Sequence, residues 1–134
     1  MISPQQEIYN KVMEICIGLT PNTYGFLPYE EVGYPMVYVG EPCSFDEPNK
    51  TAIFGRTTQA IHVYHNDPYS RWEVSEMMNS ILAKLREAKA TYNYSIHILN
   101  SQQRMFAEKA ENSKQELLHG VLELEFHFSF KGGK

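Results

Sequence analysis

Three histidines occupy positions from which side chains of neighbouring strands could meet. His62, His97 and His127 each fall on the polar parity of a different predicted strand, and Glu125 shares a strand with His127. Imidazole and carboxylate groups brought together in this way would suit zinc or another transition metal. The alternative is that they are ordinary polar residues on a solvent-facing sheet. We favour it, because a spacing across separate strands is not a ligand signature, and we expect no metal and no cofactor.

The other residues capable of acid–base chemistry have no evident partners in the sequence. His65 and His119 stand near strand ends, and no nucleophile or orienting group accompanies either histidine. Two carboxylate pairs are typical of solvated surface: Glu30-Glu31 in a loop and Glu123-Glu125 on a sheet face. The chain contains no glycine-rich phosphate loop, no hydrolase nucleophile elbow and no paired-cysteine zinc motif. We expect no catalytic residues and no enzyme activity.

Length and composition are those of a folded domain with its own core. The chain has 134 residues, of which 43% are hydrophobic and 21% charged, so we expect a single domain over residues 1–134. The formal net charge of −4 argues against binding to nucleic acid or to an anionic membrane. No apolar run approaches the roughly 20 residues that span a bilayer. Neither a membrane nor nucleic acid is therefore an expected partner.

The start of the chain and its two cysteines favour a reducing compartment. The first residues lack the basic and apolar regions of a signal peptide, so we expect the protein to be kept in the cytosol. Cys16 falls on the apolar stripe of a predicted helix, and Cys43 falls in a polar loop. A disulfide between them is conceivable, but two independent thiols fit that setting better.

The first of two predicted helices begins near the start of the chain. Ser3 is the expected N-cap, Pro4 the first helical residue, and Gln6 the partner that completes a capping box. Apolar residues then recur on one face: Ile8, Val12, Ile15, Cys16 and Leu19. Gly18 and Thr20-Pro21 predict its end.

The second predicted helix has the clearest pattern in the chain. Ser70 and Glu73 have the spacing of a capping box, and Tyr69 is placed to pack against Val74 as a hydrophobic staple. The apolar stripe has no missing position: Val74, Met77, Met78, Ile81, Leu82 and Leu85. Such a helix is expected to pack on a flat partner.

That partner is predicted to be a sheet with strands at 34–39, 59–65, 94–99 and 118–130. In the last strand one parity is apolar apart from Gly120, and the other carries Glu123, Glu125, His127 and Ser129. This alternation indicates an antiparallel sheet with one polar face. The predicted order α-β-β-α-β-β gives an α+β fold, with two helices on one face of a sheet of four strands or slightly more. Residues 102–115 fit a helix or a long hairpin, and the tail 131–134 is expected to be frayed.

The segment between the first two strands is the strongest local indication of a binding surface. We predict a loop over residues 40–58, although a hairpin would need only a few residues there. Long loops in compact domains are usually functional, but a flexible insertion without a role is the alternative. The residues predicted to contact a partner or another subunit are Glu41, Phe45, Asp46, Glu47, Lys50, Ile53, Phe54 and Arg56.

Tyrosine is unusually frequent, with nine residues against a single tryptophan. Most of them fall in predicted loops and at strand ends: Tyr24, Tyr29, Tyr34, Tyr38, Tyr64, Tyr69, Tyr92 and Tyr94. A side chain with an apolar body and a polar tip is favoured at protein interfaces. The pattern indicates either an interaction surface or residues at the margin of the core.

The order of these segments resembles the tail-completion family of long-tailed bacteriophages. The resemblance rests on strand 34–39 running into Gly40-Glu41, on strand 59–65, on helix 72–88 and on a last strand that opens with His119-Gly120-Val121-Leu122. It covers residues 34–130, and the amphipathic first helix also fits it.

The resemblance implies a structural virion protein that is assembled in the host cytoplasm and lies at the head–tail interface. Members of that family are tail terminators or head–tail joining proteins, which form a ring, commonly of six subunits, on the end of the tail tube. The ring stops growth of the tube and then meets the head connector. The implied partners are copies of the chain itself, the tail tube protein and the connector (stopper) protein. The family has no catalytic residues to transfer.

Two other functions stay open at the level of the residues. One is a small-ligand or metal-binding α+β protein or enzyme that uses the polar sheet face. The other is a bacterial regulatory protein that binds one partner through its tyrosines.

Overall fold

The structure, a computed structural model, describes residues 3–28, 32–46, 54–109 and 116–132. Its elements are α1 (Pro4–Leu19), β1 (Thr23–Tyr24), β2 (Met36–Asp46), β3 (Phe54–His65), α2 (Arg71–Glu87), β4 (Tyr94–Lys109) and β5 (Glu116–Phe130). The strands form one sheet in the order β1-β2-β3-β5-β4, in which β1 is parallel to β2 and all other pairs are antiparallel. The α+β class is therefore confirmed.

Both helices cover the same face of the sheet, as predicted. The even-numbered residues of β5 from Leu118 to Phe128 lie buried on this face. The same core cluster contains Ile8, Val12 and Cys16 from α1 and Val74, Met78, Ile81, Leu82 and Leu85 from α2. Strand β5 lies between β3 and β4 along nearly its whole length, so its alternation defines the buried face for its neighbours as well.

The sheet has five strands, within the expected range, but it is mixed, which corrects the expectation of an antiparallel sheet. The additional strand β1 lies between the first helix and the strand predicted at 34–39. Val37 N donates to Asn22 O at 2.8 Å, and Thr23 and Tyr24 pair with Val37 and Tyr38. A strand of two residues has no alternation of its own, so no periodicity in the sequence could reveal it.

The predicted loop over residues 40–58 is wrong over most of its length. Strand β2 continues to Asp46 and β3 begins at Phe54, with Asp46 opposite Gly55. A bulge between Val39 and Pro42 shifts the register, and Gln59 Nε2 donates to the carbonyl of Gly40 at 2.6 Å. A bulge inverts the parity of the residues beyond it, so the alternation in the sequence no longer indicates one continuous strand.

Residues 102–109 belong to a strand, so the helical alternative for this segment is wrong. Strands β4 and β5 form a long hairpin in which Phe106 lies opposite His119. A second bulge, between Ile98 and Asn100, again breaks the parity, and residues 110–115 lie outside the described part of the chain. Pairing with β5 overrides the helix propensity of this segment.

The first helix begins as predicted, except for its capping box. Ser3 is the N-cap, and its Oγ accepts from the backbone N–H of Gln6 at 3.2 Å. The Gln6 amide does not complete the box but donates to Asn10 Oδ1 at 2.8 Å. The helix ends at Leu19 with Thr20 as its C-cap.

The second helix has neither the capping box nor the hydrophobic staple that we predicted at its start. The Ser70 hydroxyl makes no cap and donates to Asp67 Oδ2 at 2.9 Å. Glu73 lies 3.2 Å from His65 Nε2, and Tyr69 is 89% exposed, so no hydrophobic staple forms. The Asp67 carboxylate holds the turn before the helix, because its Oδ1 also accepts from Tyr69 N at 3.0 Å.

Both cysteines are free thiols, and the disulfide alternative is wrong. Cys16 is buried in the core, where burial raises the pKa of its thiol to about 12, and Cys43 is exposed on β2. The tail is held at its start, because Lys131 N donates to Asn93 O at 2.9 Å, while Gly133 and Lys134 lie outside the described residues. Neither described helix has the length and apolar character needed to cross a membrane.

A buried carboxylate joins α1 to the turn before β4. Glu7 accepts hydrogen bonds from Thr91 Oγ1 at 2.7 Å, from Asn93 N at 2.9 Å and from Asn93 Nδ2. Burial by itself raises the pKa of Glu7, but these donors and the charge of Lys131 outweigh it and lower the pKa below its ordinary value.

Glu7→Gln is expected to lower the free energy of unfolding by about 1–3 kcal/mol, because it leaves buried donors poorly paired. Because the pKa of Glu7 is lower in the folded protein than its ordinary value of 4.5, its carboxylate stabilises the fold above pH 4.5. This stabilisation is lost as the pH falls through the pKa of the folded state. Denaturant unfolding at several pH values checks this. The deficit of the variant should shrink in acid, and a deficit that is the same at all pH values would contradict the prediction.

Helix α2 packs closely on the sheet at Gly120. A Cβ at this position would lie 2.6 Å from Val74 Cγ1 and 3.0 Å from Met78 Sδ and Cε. Gly120→Ala is therefore expected to destabilise the fold by about 1–3 kcal/mol through overpacking. Gly18→Ala is the matched control, because a Cβ there meets nothing within 4 Å and should stabilise α1 by roughly 0.5–1 kcal/mol. Thermal unfolding of the two variants measures both effects.

Candidate functional site

The structure separates the residues predicted to form the interface loop. Glu41 is exposed on β2 next to the bulge, and Phe54 and Arg56 belong to β3. Phe45 and Asp46 lie in β2, where their backbones pair with Arg56 and Gly55. The other predicted residues are outside the described part of the chain: Glu47, Lys50 and Ile53.

Arg56 is engaged by the neighbouring strand. Its Nη1 lies 3.0 Å from Glu125 Oε2, and Asn100 Nδ2 donates to Glu125 Oε1 at 2.7 Å. The hydrogen bond from Asn100 is the largest cause of a lowered Glu125 pKa, and Arg56 adds to it. Arg56, Glu125 and Asn100 thus join β3, β5 and β4 across the outer face of the sheet, the face opposite the helices.

The three histidines singled out from the sequence do not converge. The rings of His97 and His127 lie 5.1 Å apart, next to Phe54, whose ring centre is 6.1 Å from that of His127. His62 instead lies nearer the opposite end of the same face, with His119. Within residues 3–28, 32–46, 54–109 and 116–132 no three His, Cys, Asp or Glu side chains could hold a metal ion.

A row of ionisable side chains crosses the outer face near the start of β5. His62 Nδ1 and His119 Nε2 are 2.8 Å apart, and His119 Nδ1 lies 2.8 Å from Glu108 Oε1. The carboxylate oxygen is not in line with an N–H bond, so this second contact is electrostatic. One imidazole nitrogen must donate and the other accept, which means that the two rings cannot both be imidazolium without losing their contact.

Aromatic rings surround this histidine row. Tyr64 stacks on His119 with ring centres 4.1 Å apart, and Phe106 lies at 4.8 Å on the other neighbouring strand. Tyr38 stacks on His62 at 5.3 Å. As a result His119 is only 7% exposed, although it belongs to the polar parity of β5. Sequence reasoning missed this site, because it treated that parity as uniformly solvated.

Burial makes both histidines harder to protonate. It is the largest cause of a lowered pKa for His62, and the charge of His119 adds to it. Burial likewise lowers the pKa of His119 more than the neighbouring Glu108 carboxylate raises it. Both imidazoles therefore favour the neutral form.

An open groove of about 820 Å³ borders the histidine row. Its apolar lining comes from the segment after β1 and from three strands, and includes Phe26, Leu27, Tyr34, Met36, Tyr38 and Tyr64. Glu41, Glu108 and Lys109 are its charged residues. Burial raises the pKa of Tyr64 to about 12, so this phenol stays protonated at the groove.

The groove gathers several of the tyrosines noted in the sequence. Tyr34, Tyr38 and Tyr64 line it, whereas Tyr94 is buried in the core. Tyr69 and Tyr92 are each 89% exposed elsewhere on the surface. Tyr24 belongs to β1, and Tyr29 lies outside the described residues. The described tyrosines are therefore divided among groove, core and surface, and the groove unites three that are distant in the sequence.

Comparison with known proteins identifies the fold. No family model and no curated protein matches the chain. A chain of a solved structure described as "Virion of native gene transfer agent (GTA) particle" superposes with a TM-score of 0.64 over 97% of this chain and 96% of that chain. The two sequences are 13% identical, so the likeness is one of fold.

The lowered pKa values of His62 and His119 predict a loss of stability in weak acid. The unfolded chain takes up protons near pH 6.5, the ordinary value, before the folded chain does, so stability is present above that pH and falls below it. The free energy of unfolding changes with a slope of at most about 1.4 kcal/mol per pH unit for each histidine. Denaturant unfolding between neutral and weakly acidic pH measures it.

His62→Gln should reduce this slope, because one of the two rings whose pKa the fold lowers is gone. His97→Gln, at an exposed histidine outside the row, is the control and should leave the slope unchanged. An equal pH dependence in wild type and His62→Gln would show that the histidine row does not couple folding to protonation.

Proposed function

We propose that the protein is a structural subunit of a phage-type virion. In this role it caps the end of the tail tube and joins the tail to the head connector as one subunit of a ring, which we take to be hexameric. It acts without catalysis, cofactor or metal. Its partners are copies of itself, the tail tube protein and the connector protein, and its place in the virion is the head–tail interface after assembly in the host cytoplasm.

The observation that carries this proposal is the shared fold with a chain of a gene transfer agent virion, a phage-like particle. The likeness extends over nearly the whole of both chains, so it concerns the complete arrangement of helices and strands and not a common substructure. The resemblance of the sequence to the tail-completion family supports the finer assignment through the order of its segments over residues 34–130 and the His119-Gly120 start of the last strand.

The chemistry of the described surface also supports a structural role. Where ionisable side chains meet on the outer face they pair with one another, as in Arg56 with Glu125 and His119 with Glu108. Such pairs join β3, β4 and β5 into a rigid layer. A subunit that transmits contact between a tube and a connector needs this rigidity, together with separate surfaces for different partners.

Within this role we assign the end of the β2–β3 hairpin to a contact with the tube, the connector or a neighbouring subunit. Strand β1 pairs only with Val37 and Tyr38 of β2. Beyond Tyr38 the outer edge of β2 is not covered by β1. Glu41 is exposed on this part, and Phe45 and Arg56, two further predicted contact residues, pair with each other near the hairpin end. An uncovered edge is a surface on which another chain can pair.

Electron microscopy of the protein mixed with tail tubes of its own phage or phage-like particle tests the function. We expect a cap at the head-proximal end of the tubes and tails that no longer lengthen. Tubes with bare ends at saturating protein would refute the proposal.

A shortened hairpin tests the contact assigned to its end. Replacing residues 47–54 by Asn-Gly, a pair favoured in two-residue hairpin turns, keeps Asp46 opposite Gly55. The variant should fold, as seen in circular dichroism and thermal unfolding, but should fail to join tails to heads. Full joining by the folded variant would show that the hairpin end is not a contact.

A further inference from the structure

A small side pocket adjoins the groove at the bulge of β2. It encloses about 170 Å³, and its wall shares Gly25, Tyr38 and Glu41 with the groove. Gln6 and Tyr9 of α1 line its other side. At about 30 Å³ per water molecule, this is the space of one long side chain and too little for a folded element. A segment that lies in the groove can therefore place one side chain in the side pocket.

The side pocket presents a negative charge and several hydrogen-bond acceptors. Glu41 is exposed, and within the described part of the chain no cation pairs with it. Burial is the largest cause of a raised pKa for the Tyr9 phenol, and the nearby Tyr38 and Glu41 add to it. The Gln6 amide donates through its Nε2 to Asn10, which leaves its Oε1 to accept. None of the described residues that line the side pocket is basic.

This set of groups fits an arginine side chain. A guanidinium carries five N–H donors and a permanent positive charge, and it stacks on aromatic rings, whereas a lysine ammonium has three donors and no plane. Glu41 would balance the charge, and Tyr9 and Gln6 would accept further N–H bonds. The Tyr38 ring would cover one face of the guanidinium. An apolar or acidic side chain would leave these acceptors unpaired.

The groove beside the side pocket is suited to an extended apolar segment. Tyr38 stacks on His62 and Tyr64 stacks on His119, so both rings are held in place before anything binds, which lowers the entropy cost of binding. Phe26 is 64% exposed at the margin of the groove. A segment lying there would remove this apolar surface from water.

The groove crosses the sheet and is acidic on balance. Its lining extends from Leu27, after β1, through β2, β3 and β5 to Glu108 on β4. Four steps of about 4.8 Å between strands make roughly 19 Å, the length of about six residues of extended chain. Two carboxylates line the groove, Glu41 and Glu108, against the single ammonium of Lys109. The groove as a whole therefore favours a basic occupant.

The arginines of this chain do not suit the side pocket of a second copy. Arg56 and Arg104 lie within β3 and β4, where they pair with carboxylates of β5. Arg71 and Arg86 belong to α2 and not to an extended segment. The occupant with an arginine on an extended segment is therefore a different protein.

We infer that the groove binds an extended apolar segment of another protein, with an arginine of that segment seated in the side pocket against Glu41. The inference goes beyond the proposed function. That function supplies only the place to look for the natural segment, which is the tail tube protein and the connector protein.

Selection from a library of random twelve-residue peptides on the full chain tests this chemistry. We expect the enriched peptides to share an arginine flanked by apolar residues. A synthetic peptide of the enriched sequence, carrying a fluorophore, then gives the affinity by fluorescence anisotropy. Replacing its arginine by citrulline, which keeps the shape and loses the charge, should weaken binding by about tenfold.

Variants of the protein locate the binding. Glu41→Gln should weaken binding of the arginine peptide by a similar factor, and Phe26→Ser should weaken it through lost apolar contact. The citrulline peptide should lose little further on Glu41→Gln, because the pair is already broken. Glu87→Gln, at an exposed carboxylate of α2, is the matched control and should bind as wild type does. Thermal unfolding verifies that these variants, all at exposed positions, are folded.

Three results would overturn the inference. One is enriched peptides without a basic residue, and another is equal binding of the arginine and citrulline peptides. The third is self-association of the wild type that Glu41→Gln abolishes in analytical ultracentrifugation, since another copy would then fill the groove.

The outcome separates this site from the proposed function. Tail tubes capped by a protein that binds no arginine peptide would mean that the function stands and the inference fails. Binding that depends on arginine and Glu41, together with bare tube ends, would mean that the inference stands and the function is different.

Discussion

The structure depends on the burial of one face of β5. This strand pairs with β3 on one side and β4 on the other, and its apolar parity forms the layer on which both helices pack. The removal of this row from water is the main driving force for the fold, and it fixes the register of the neighbouring strands, since a shift by one residue would turn every core side chain to solvent. Gly120 sets how closely α2 can approach, because a side chain there would meet Val74 and Met78.

The opposite parity of β5 has two kinds of environment. Towards its end, Glu125 holds Arg56 and Asn100 in a solvated network that connects three strands. Towards its start, His119 and Val121 are buried on the outer face, Val121 with only 2% of its surface exposed. The change from polar to apolar along one face places the groove at one end of the subunit and leaves the hairpin end at the other.

In the function proposed above, contacts with two different structures would fall at opposite ends of the subunit. The groove differs from a ligand pocket in being open and wide, with aromatic side chains and both signs of charge along it.

The sequence was sufficient wherever a regular period ran without interruption. It predicted α1, α2 and β5, the placement of both helices on one face and the α+β class, because each of these depends on a repeat of 3.6 or 2 within one segment. It failed at the two bulges, next to Gly40 and at Leu99, since one added residue inverts the parity and makes a strand look like a loop or a helix. It also missed β1, which is formed by a single pairing across the chain.

The candidate sites follow the same division. The sequence by itself shows many tyrosines, a single tryptophan and histidines at polar positions. Only the tertiary structure decided which of them meet. His62 pairs with His119 and not with His127, and one groove is lined by Tyr34, Tyr38 and Tyr64. The reason is that the strand order places β2 and β5 on either side of β3. Strand order is set by the summed packing of all elements, and no local pattern encodes it.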